Sequence, residues 1–176
     1  MRQELEAVWA EHLRHEFTTK NTDETLATMV ADARVNHIPV ATGGSGLDEL
    51  REFYSRFFIP QMPPDMEMIS IARTFAADRL VDEMVLRFTH SVAMEWFLPG
   101  VPPTGKRVEL PIVVSVHFEG DKLHEERIYW DQASVLVQVG LLDPSGLPVL
   151  GAAAAAKVLD PRLPSNDLIA GFDRPG

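Results

Sequence analysis

Glu126 is the residue whose type and setting point most directly to chemistry. The segment Leu123–Trp130 has the β-branched and aromatic residues of a strand, and the alternation of a strand puts Glu126, Ile128 and Trp130 on one face. A glutamate beside a tryptophan either faces solvent, pairs with an arginine, or lines a cavity in which an acid transfers protons. The sequence leaves these alternatives open.

Three further residues have the chemistry of proton transfer: His90, Glu83 and Asp131. His90 is in phase with the apolar residues of its predicted strand, where a histidine bonded within the core is the alternative. Glu83 has the opposite parity, so both would face one pocket only across a β-bulge. Asp131 stands where the next helix begins, and capping of that helix explains its carboxylate without catalysis.

A second group has the types of side chain that hold a substrate. Its members are His37, Tyr54, Arg73, Trp96 and Trp130. Arg73 would bind a substrate carboxylate, or it would pair with Glu83 or Glu126. His37 and Tyr54 would donate to a ligand oxygen, and the two tryptophans would form an aromatic wall, although Tyr54 and the tryptophans also suit an ordinary core.

The sequence predicts no metal site. There are no cysteines, and the six histidines show no spacing typical of metal ligands. His12 and His15 are three residues apart on the first predicted helix, and we interpret them as part of a solvated polar face. Any activity should therefore survive chelation.

Length and charge limit the class of protein. A chain of 176 residues with 45% hydrophobic residues suits one domain. A net charge of -10 argues against nucleic acid and against an anionic membrane as partners. The charged N-terminus lacks the apolar core of a signal peptide, and no apolar run has the length of a membrane span, so a cytoplasmic protein is expected.

The hydrophobic pattern predicts helices first and strands afterwards. Helices are expected over about residues 2–17, from Thr22 or Asp23 to Arg34, and over 47–58, after an extended segment at 35–40. Strands are expected over 67–77, 80–92, 108–119 and 123–130, with 94–98 continuing or following the second. A helix from Asp131 to Gly140 and a short one near 149–158 complete the pattern, which indicates an α+β fold.

Two motifs resemble a known family. Residues 99–109 contain a Pro-Pro-Thr-Gly loop, and residues 126–132 read Glu-Arg-Ile-Tyr-Trp-Asp-Gln before a Gln-Val-Gly at 138–140. Together they are similar to the SnoaL-like polyketide cyclases of the nuclear transport factor 2-like superfamily, over most of residues 1–142. The resemblance implies a cone-shaped α+β fold, with N-terminal helices packed on a curved antiparallel meander. It divides the chain into a domain at 1–145 and an extension at 146–176, packed on that domain or on a partner subunit.

The same resemblance implies a mechanism, and this chain departs from it. The cyclases use an aspartate on the last strand as an acid-base group, without metal or cofactor, three residues before the aspartate that enters the helix. Counting back from Asp131 puts Ile128 in that place. A related reaction would then need a nearby carboxylate, and Glu126 lies about 7 Å away on the same strand face.

We therefore expect a cofactor-independent enzyme with an apolar pocket for a small hydrophobic ketone, lactone or polyketide-like substrate. The reaction would be an acid-base cyclisation, isomerisation, dehydration or hydrolysis. The alternative is a non-catalytic ligand-binding or dimerisation module on the same fold. Polar groups that converge on one point would favour the enzyme. A homodimer is expected through the outer face of the sheet, which carries Val113 and Tyr129.

Overall fold

In the part of the chain that the structure describes, the N-terminal half contains three short helices, two of which end in π-helical turns. The computed structural model describes residues 2–172. Helix α1, Arg2–Leu13, continues into a π-helical turn at Arg14–Thr18. Helix α2, Thr22–Ala27, begins at Asn21, whose side chain accepts a hydrogen bond from the backbone N–H of Glu24. Helix α3, Leu47–Glu52, continues as a second π-helical segment, Phe53–Phe58, and a short 3₁₀ turn, Ile59–Gln61.

The predicted second helix is wrong over its C-terminal half. Met29–His37 forms strand β1, which pairs with strand β2, Thr42–Ser45. Burial alternates along its second half, with Ala33, Val35 and His37 inside. The helical spacing of apolar residues at 26–33 was misleading because a partner strand far along the chain, and not local propensity, decides the conformation here. Residues 94–98 likewise form turns and no strand.

Four long strands form the predicted antiparallel meander. They are β3, Glu67–Phe75; β4, Arg79–Thr89; β5, Arg107–Glu119; and β6, Lys122–Trp130. The sheet order is β2-β1-β6-β5-β4-β3, and β1 lies parallel to β6. The curved sheet is therefore mixed, with the predicted meander as its larger part. The predicted α+β class is confirmed.

The concave face of the sheet packs against the helices. The side chains of Met84, Leu86, Ile112, Val114 and Ile128 point to this side and are buried. The parallel pairing places Val35 beside Glu126 and His37 beside Ile128. Residues from β1 and β6 therefore meet at the middle of the sheet, under the N-terminal helices.

The chain after β6 returns to the sheet. Helix α4, Gln132–Gln138, begins as predicted at Asp131, whose carboxylate accepts from the N–H groups of Ala133 and Ser134. Helix α5, Ala153–Leu159, contacts β4 and β5. Val85 points away from Met84 and Leu86, yet it is fully buried, so α5 covers part of the outer face. No helix within residues 2–172 has the length and apolar character that would carry it across a membrane.

We propose that the uncovered part of the outer face forms a homodimer interface. Tyr129 is 42% exposed and Val81 is 41% exposed, on neighbouring parts of the sheet. Tyr129 pairs in register with Val113, so the apolar surface continues across β5. The change Tyr129→Glu should convert a dimer into a monomer, because it would place a charge in the interface.

Light scattering at micromolar concentration measures this assembly. Wild-type protein should have twice the chain mass of 19.6 kDa, and the variant should have the mass of one chain. A wild-type mass of a single chain would contradict the proposed dimer.

Candidate active site

A cavity lies between the N-terminal helices and the concave face of the sheet. Its volume is about 50 Å³, and most of its lining consists of aliphatic, aromatic and methionine side chains. Four polar side chains also reach it: Glu16, His37, Tyr54 and Glu126. Buried polar groups of this kind normally have hydrogen-bond partners, so their pairing shows what the cavity can do.

Glu16 and Glu126 meet at the imidazole of His12. Nε2 of His12 lies 3.1 Å from Oε1 of Glu16 and 3.0 Å from Oε1 of Glu126. His12 is completely buried, and each glutamate is only 4% exposed. We call these three residues the buried triad. Helix α1 supplies His12, the π-helical turn that follows supplies Glu16, and β6 supplies Glu126.

The hydrogen bonds of His12 define its protonation. Nδ1 lies 2.6 Å from Oγ1 of Thr28, and that hydroxyl donates to the carbonyl oxygen of Thr25. The hydroxyl proton is therefore in use, so Nδ1–H must be the donor to Thr28. Burial lowers the pKa of His12, but the negative charges of Glu16 and Glu126 and the close contacts of both carboxylates with the ring outweigh it and raise the pKa to about 10. His12 is thus an imidazolium at neutral pH when only protons occupy the triad.

Oε1 of Glu126 pairs with His12 by charge but lacks a well-aligned hydrogen bond among the described residues. The proton on Nε2 of His12 is directed at Glu16. Oε1 of Glu126 is close to the same nitrogen, yet it has no hydrogen bond of acceptable geometry within residues 2–172. A buried carboxylate oxygen without a well-aligned donor can accept a proton or bind another ligand.

The hydroxyl of Tyr54 is also unsatisfied. It is buried and finds no well-aligned hydrogen-bond partner in the described part of the chain. Burial raises the pKa of Tyr54 well above its ordinary value, and the negative charges of Glu16 and Glu126, together with a poorly aligned contact of the hydroxyl with Glu16, add to the effect. Tyr54 therefore stays protonated and can donate to a group that enters the cavity.

His37 presents a neutral imidazole to the cavity. Its Nδ1 lies 3.2 Å from the carbonyl oxygen of Thr42, so Nδ1–H donates and Nε2 is left as an acceptor. Burial lowers the pKa of His37 to about 4. Four aromatic rings lie with their centroids 5.4–5.9 Å from its own, those of Phe53, Phe58, Trp96 and Trp130.

Arg73 has a structural partner different from the predicted ones. Its Nε–H donates to Oδ2 of Asp82 at 2.8 Å, so the predicted pairing with Glu83 or Glu126 is wrong. The same oxygen accepts from Nε1–H of Trp9, also at 2.8 Å. Trp9 stacks on His12 with ring centroids 5.8 Å apart. Arg73 lies outside the cavity and binds Asp82, which links helix α1 to β4 through Trp9.

Other predicted site residues lie elsewhere. His90 follows the end of β4, is buried, and lies 3.2 Å from Oγ1 of Thr104 through Nδ1; burial lowers its pKa. Glu83 points away from the cavity because its neighbour Met84 points into it. Asp131 caps α4. None of these three reaches the cavity, because its polar residues come from β1, β6 and the N-terminal helices.

The two predicted tryptophans have different positions. Trp96 lines the cavity, as expected for an aromatic wall. Trp130 lies behind that wall, stacked on Phe97 with ring centroids 4.7 Å apart, and its Nε1–H donates to Gln132. Trp130 thus supports His37 and Phe97 and does not line the cavity itself.

Sequence reasoning missed His12 and Glu16. His12 and His15 were placed on a solvated face, but both are buried. The signal was present, because Leu5, Trp9, His12 and Glu16 follow each other at helical intervals of four, three and four residues. Only the position of β6 shows that this stripe faces a third ionisable group.

The comparisons with known proteins agree with this architecture. A family model described as SnoaL-like polyketide cyclase matches residues 4–139. A comparison with curated protein sequences gives no significant match.

Three solved structures are similar in fold. A nuclear transport factor 2-like protein of unknown function from Burkholderia pseudomallei is 17% identical, covers 78% of this chain and 98% of its own, and has a TM-score of 0.60. A proposed SnoaL-like polyketide cyclase from Jannaschia sp. CCS1 is 20% identical, covers 78% of this chain and 94% of its own, and has a TM-score of 0.58. A proposed polyketide cyclase from Xanthomonas campestris is 16% identical, covers 79% of this chain and 98% of its own, and has a TM-score of 0.62.

These likenesses show a nuclear transport factor 2-like fold. The family model covers well over half of the chain, including every residue of the buried triad. The chain belongs to the SnoaL-like polyketide cyclase family.

Proposed function

We propose that the protein is an acid-base enzyme for a small apolar carbonyl compound. Glu126 removes a proton from the carbon next to the carbonyl group, and the hydroxyl of Tyr54 donates a hydrogen bond to the carbonyl oxygen. One observation carries this proposal: a carboxylate oxygen and a phenol hydroxyl, both buried and both without a well-aligned partner in residues 2–172, reach one apolar cavity.

The cost of these unsatisfied groups supports a catalytic role. A buried polar atom without a partner costs about 1–3 kcal/mol. A substrate with one acidic C–H bond and one carbonyl oxygen would satisfy both groups. Because the surroundings are apolar, the interaction with a developing negative charge would also be stronger than in water.

The raised pKa of Tyr54 fits the role of a hydrogen-bond donor. Its proton is held too tightly to be released at neutral pH, but it can stabilise the negative charge that develops on an enolate oxygen. Glu126 would return the proton to another atom of the substrate. Cyclisation, isomerisation and dehydration can all begin with such a carbanion.

The family supports the class of substrate. The Xanthomonas and Jannaschia proteins are proposed polyketide cyclases, and polyketides contain many C–H bonds next to carbonyl groups. Ile128 occupies the position expected for the family's aspartate, and it lies two residues from Glu126 on the same face of β6. The proposed base is therefore close to that position.

The small volume of the cavity favours the alternative function. Ligand pockets usually enclose about 300–1,000 Å³, whereas this cavity measures about 50 Å³. On this alternative the protein is a non-catalytic ligand-binding or dimerisation module. The catalytic proposal requires side chains such as Phe58 or Met68 to move when a substrate enters.

The change Glu126→Gln should abolish proton abstraction while the fold persists. Glutamine keeps the shape of the side chain but is not a base at neutral pH. We expect deuterium incorporation into the carbon next to the carbonyl of β-tetralone or acetylacetone, in heavy water, to fall by roughly a hundredfold or more. Nuclear magnetic resonance of the ketone measures the exchange rate.

Glu125→Gln is the matched control. Glu125 neighbours Glu126 on β6, is half-buried, and lies 3.8 Å from Arg127 outside the cavity. This variant should exchange deuterium at the wild-type rate. Equal rates in the Glu126 variant and wild type would refute the assignment of the base. If wild type does not accelerate exchange of either ketone, the non-catalytic module is favoured.

The proposal also gives His37 the role of a neutral acceptor. With Nδ1–H bound to Thr42, its Nε2 can accept from a hydroxyl group of a substrate. This role requires that His37 remain unprotonated near neutral pH, which its lowered pKa provides.

The stability of the fold should therefore fall in acid because of His37. Its pKa is about 4 in the fold against 6.5 in the unfolded chain, so between these values the unfolded chain binds a proton that the fold does not. The contribution of His37 is complete above pH 6.5 and is lost as the pH falls towards 4. The loss between about pH 7 and pH 5 should be about 2 kcal/mol.

Urea unfolding of wild type and of His37→Gln measures this loss. Glutamine keeps a donor for Thr42 and does not titrate, so the stability of the variant should change less in this range. Subtracting the two curves removes the contribution of His90, while the stabilisation by protonated His12 is constant below pH 6.5 and changes with pH only above it. Parallel curves for the two proteins would show that His37 is not a buried neutral imidazole.

A further inference from the structure

The buried triad also has the composition of a metal site. It offers one imidazole nitrogen and two carboxylate oxygens, and these donor atoms all lie within 4.8 Å of one another. One nitrogen and two oxygens suit first-row divalent ions such as Zn²⁺, Mn²⁺ and Fe²⁺ better than Mg²⁺ or Ca²⁺, which favour oxygen alone.

The distances within the triad fit coordination. Bonds of about 2.1 Å that meet at an octahedral or tetrahedral angle place two donor atoms about 3.0–3.4 Å apart. Nε2 of His12 lies 3.1 Å and 3.0 Å from the two glutamate oxygens. An ion could therefore bind with small movements of the side chains.

The surroundings of His12 are an independent argument. Metal-binding histidines almost always donate their second N–H group to a fixed acceptor, which orients the first nitrogen towards the ion. Here Nδ1–H donates to Thr28, and the hydroxyl of Thr28 is fixed by the carbonyl oxygen of Thr25. Nε2 is thereby held in place and directed at the two carboxylates.

Two unsatisfied atoms indicate that a ligand belongs here. Oε1 of Glu126 is buried without a well-aligned hydrogen bond, and so is the hydroxyl of Tyr54, which is 1% exposed. The charge balance points the same way. Two carboxylates and one neutral imidazole form a ligand set whose formal charge a divalent ion balances fully.

We propose that His12, Glu16 and Glu126 bind a divalent transition-metal ion, with Zn²⁺ and Mn²⁺ as the most suitable ions, in place of the proton on Nε2. The cavity side of the ion is left open for water or for the oxygen of a ligand. A bound ion would occupy Glu126, so the proton abstraction proposed above belongs to the ion-free protein. The proposal rests on the donor set and not on the catalytic role of Glu126.

This proposal departs from the metal-free protein expected from the sequence. That expectation used the spacing of histidines along the chain. The triad takes its donors from α1, the turn after it and β6, so no linear spacing reveals it.

Binding of Zn²⁺ and Co²⁺ to the chelator-treated protein, without an affinity tag, tests the proposal. Calorimetry should show that one Zn²⁺ ion binds per chain. Co²⁺ should give the visible absorption of an ion bound to nitrogen and oxygen. The change His12→Gln should weaken Zn²⁺ binding by more than about a hundredfold, since loss of an outer partner alone costs about 10–100-fold.

Two further variants guard against a folding defect. Glu16→Gln keeps the shape of the side chain and should weaken binding as His12→Gln does. Thr28→Val keeps all three ligands and removes only the acceptor of Nδ1–H, so it should weaken binding by about tenfold. Circular dichroism checks that each variant is folded.

A second cluster in the same chain supplies the control. Asp32, Glu119 and His124 also lie within 4.8 Å of one another, but they are exposed or half-exposed. The change His124→Gln should leave the affinity and the Co²⁺ spectrum unaltered. The proposal fails if wild type binds neither ion, or if folded Glu16→Gln binds as tightly as wild type. Binding lost in the His124 variant alone would assign the ion to the exposed cluster. Because these readouts measure binding, they are independent of the deuterium exchange that tests the proposed function.

Discussion

The pairing of His12 with two carboxylates is the constraint on which the interior of this protein depends. Three ionisable groups lie in a mainly apolar core, where a charge without a partner costs several kcal/mol. The fold tolerates them because each is within about 3 Å of an opposite charge. Helix α1 must therefore lie at a fixed distance from β6, and the bonds of Asp82 to Trp9 and Arg73 help to hold it there.

This constraint connects the fold to the proposed chemistry. A core of this size could be filled with aliphatic side chains alone, at a lower electrostatic cost. Instead, four polar groups meet at a small cavity whose other walls are apolar. The buried triad, Tyr54 and His37 differ in charge and hydrogen-bonding state, so the cavity offers a base, a donor and an acceptor within one enclosed space.

Local pattern predicted most of the fold and part of the site. The alternation along β6 predicted that Glu126 shares a face with Ile128, and the helix signals predicted a helix that starts at Asp131, because both features depend on neighbouring residues. The pattern failed at Met29–His37, which is a strand because β6, about ninety residues later, pairs with it. It also failed at His12, because one of its two partners, Glu126, comes from β6 and leaves no trace in the spacing of helix α1.

The two π-helical segments, Arg14–Thr18 and Phe53–Phe58, bear on how such a cavity arises. In each π-helical segment an N–H group donates to the carbonyl oxygen five residues earlier, as Thr19 does to Arg14 and Ile59 does to Tyr54. Such a turn is equivalent to an α-helix with one residue inserted, which rotates the following side chains by about 100°. Glu16 and Tyr54 lie within these segments. A single inserted codon in a helix would therefore be enough to turn the side chains that follow it towards an apolar wall, without any change in the sheet.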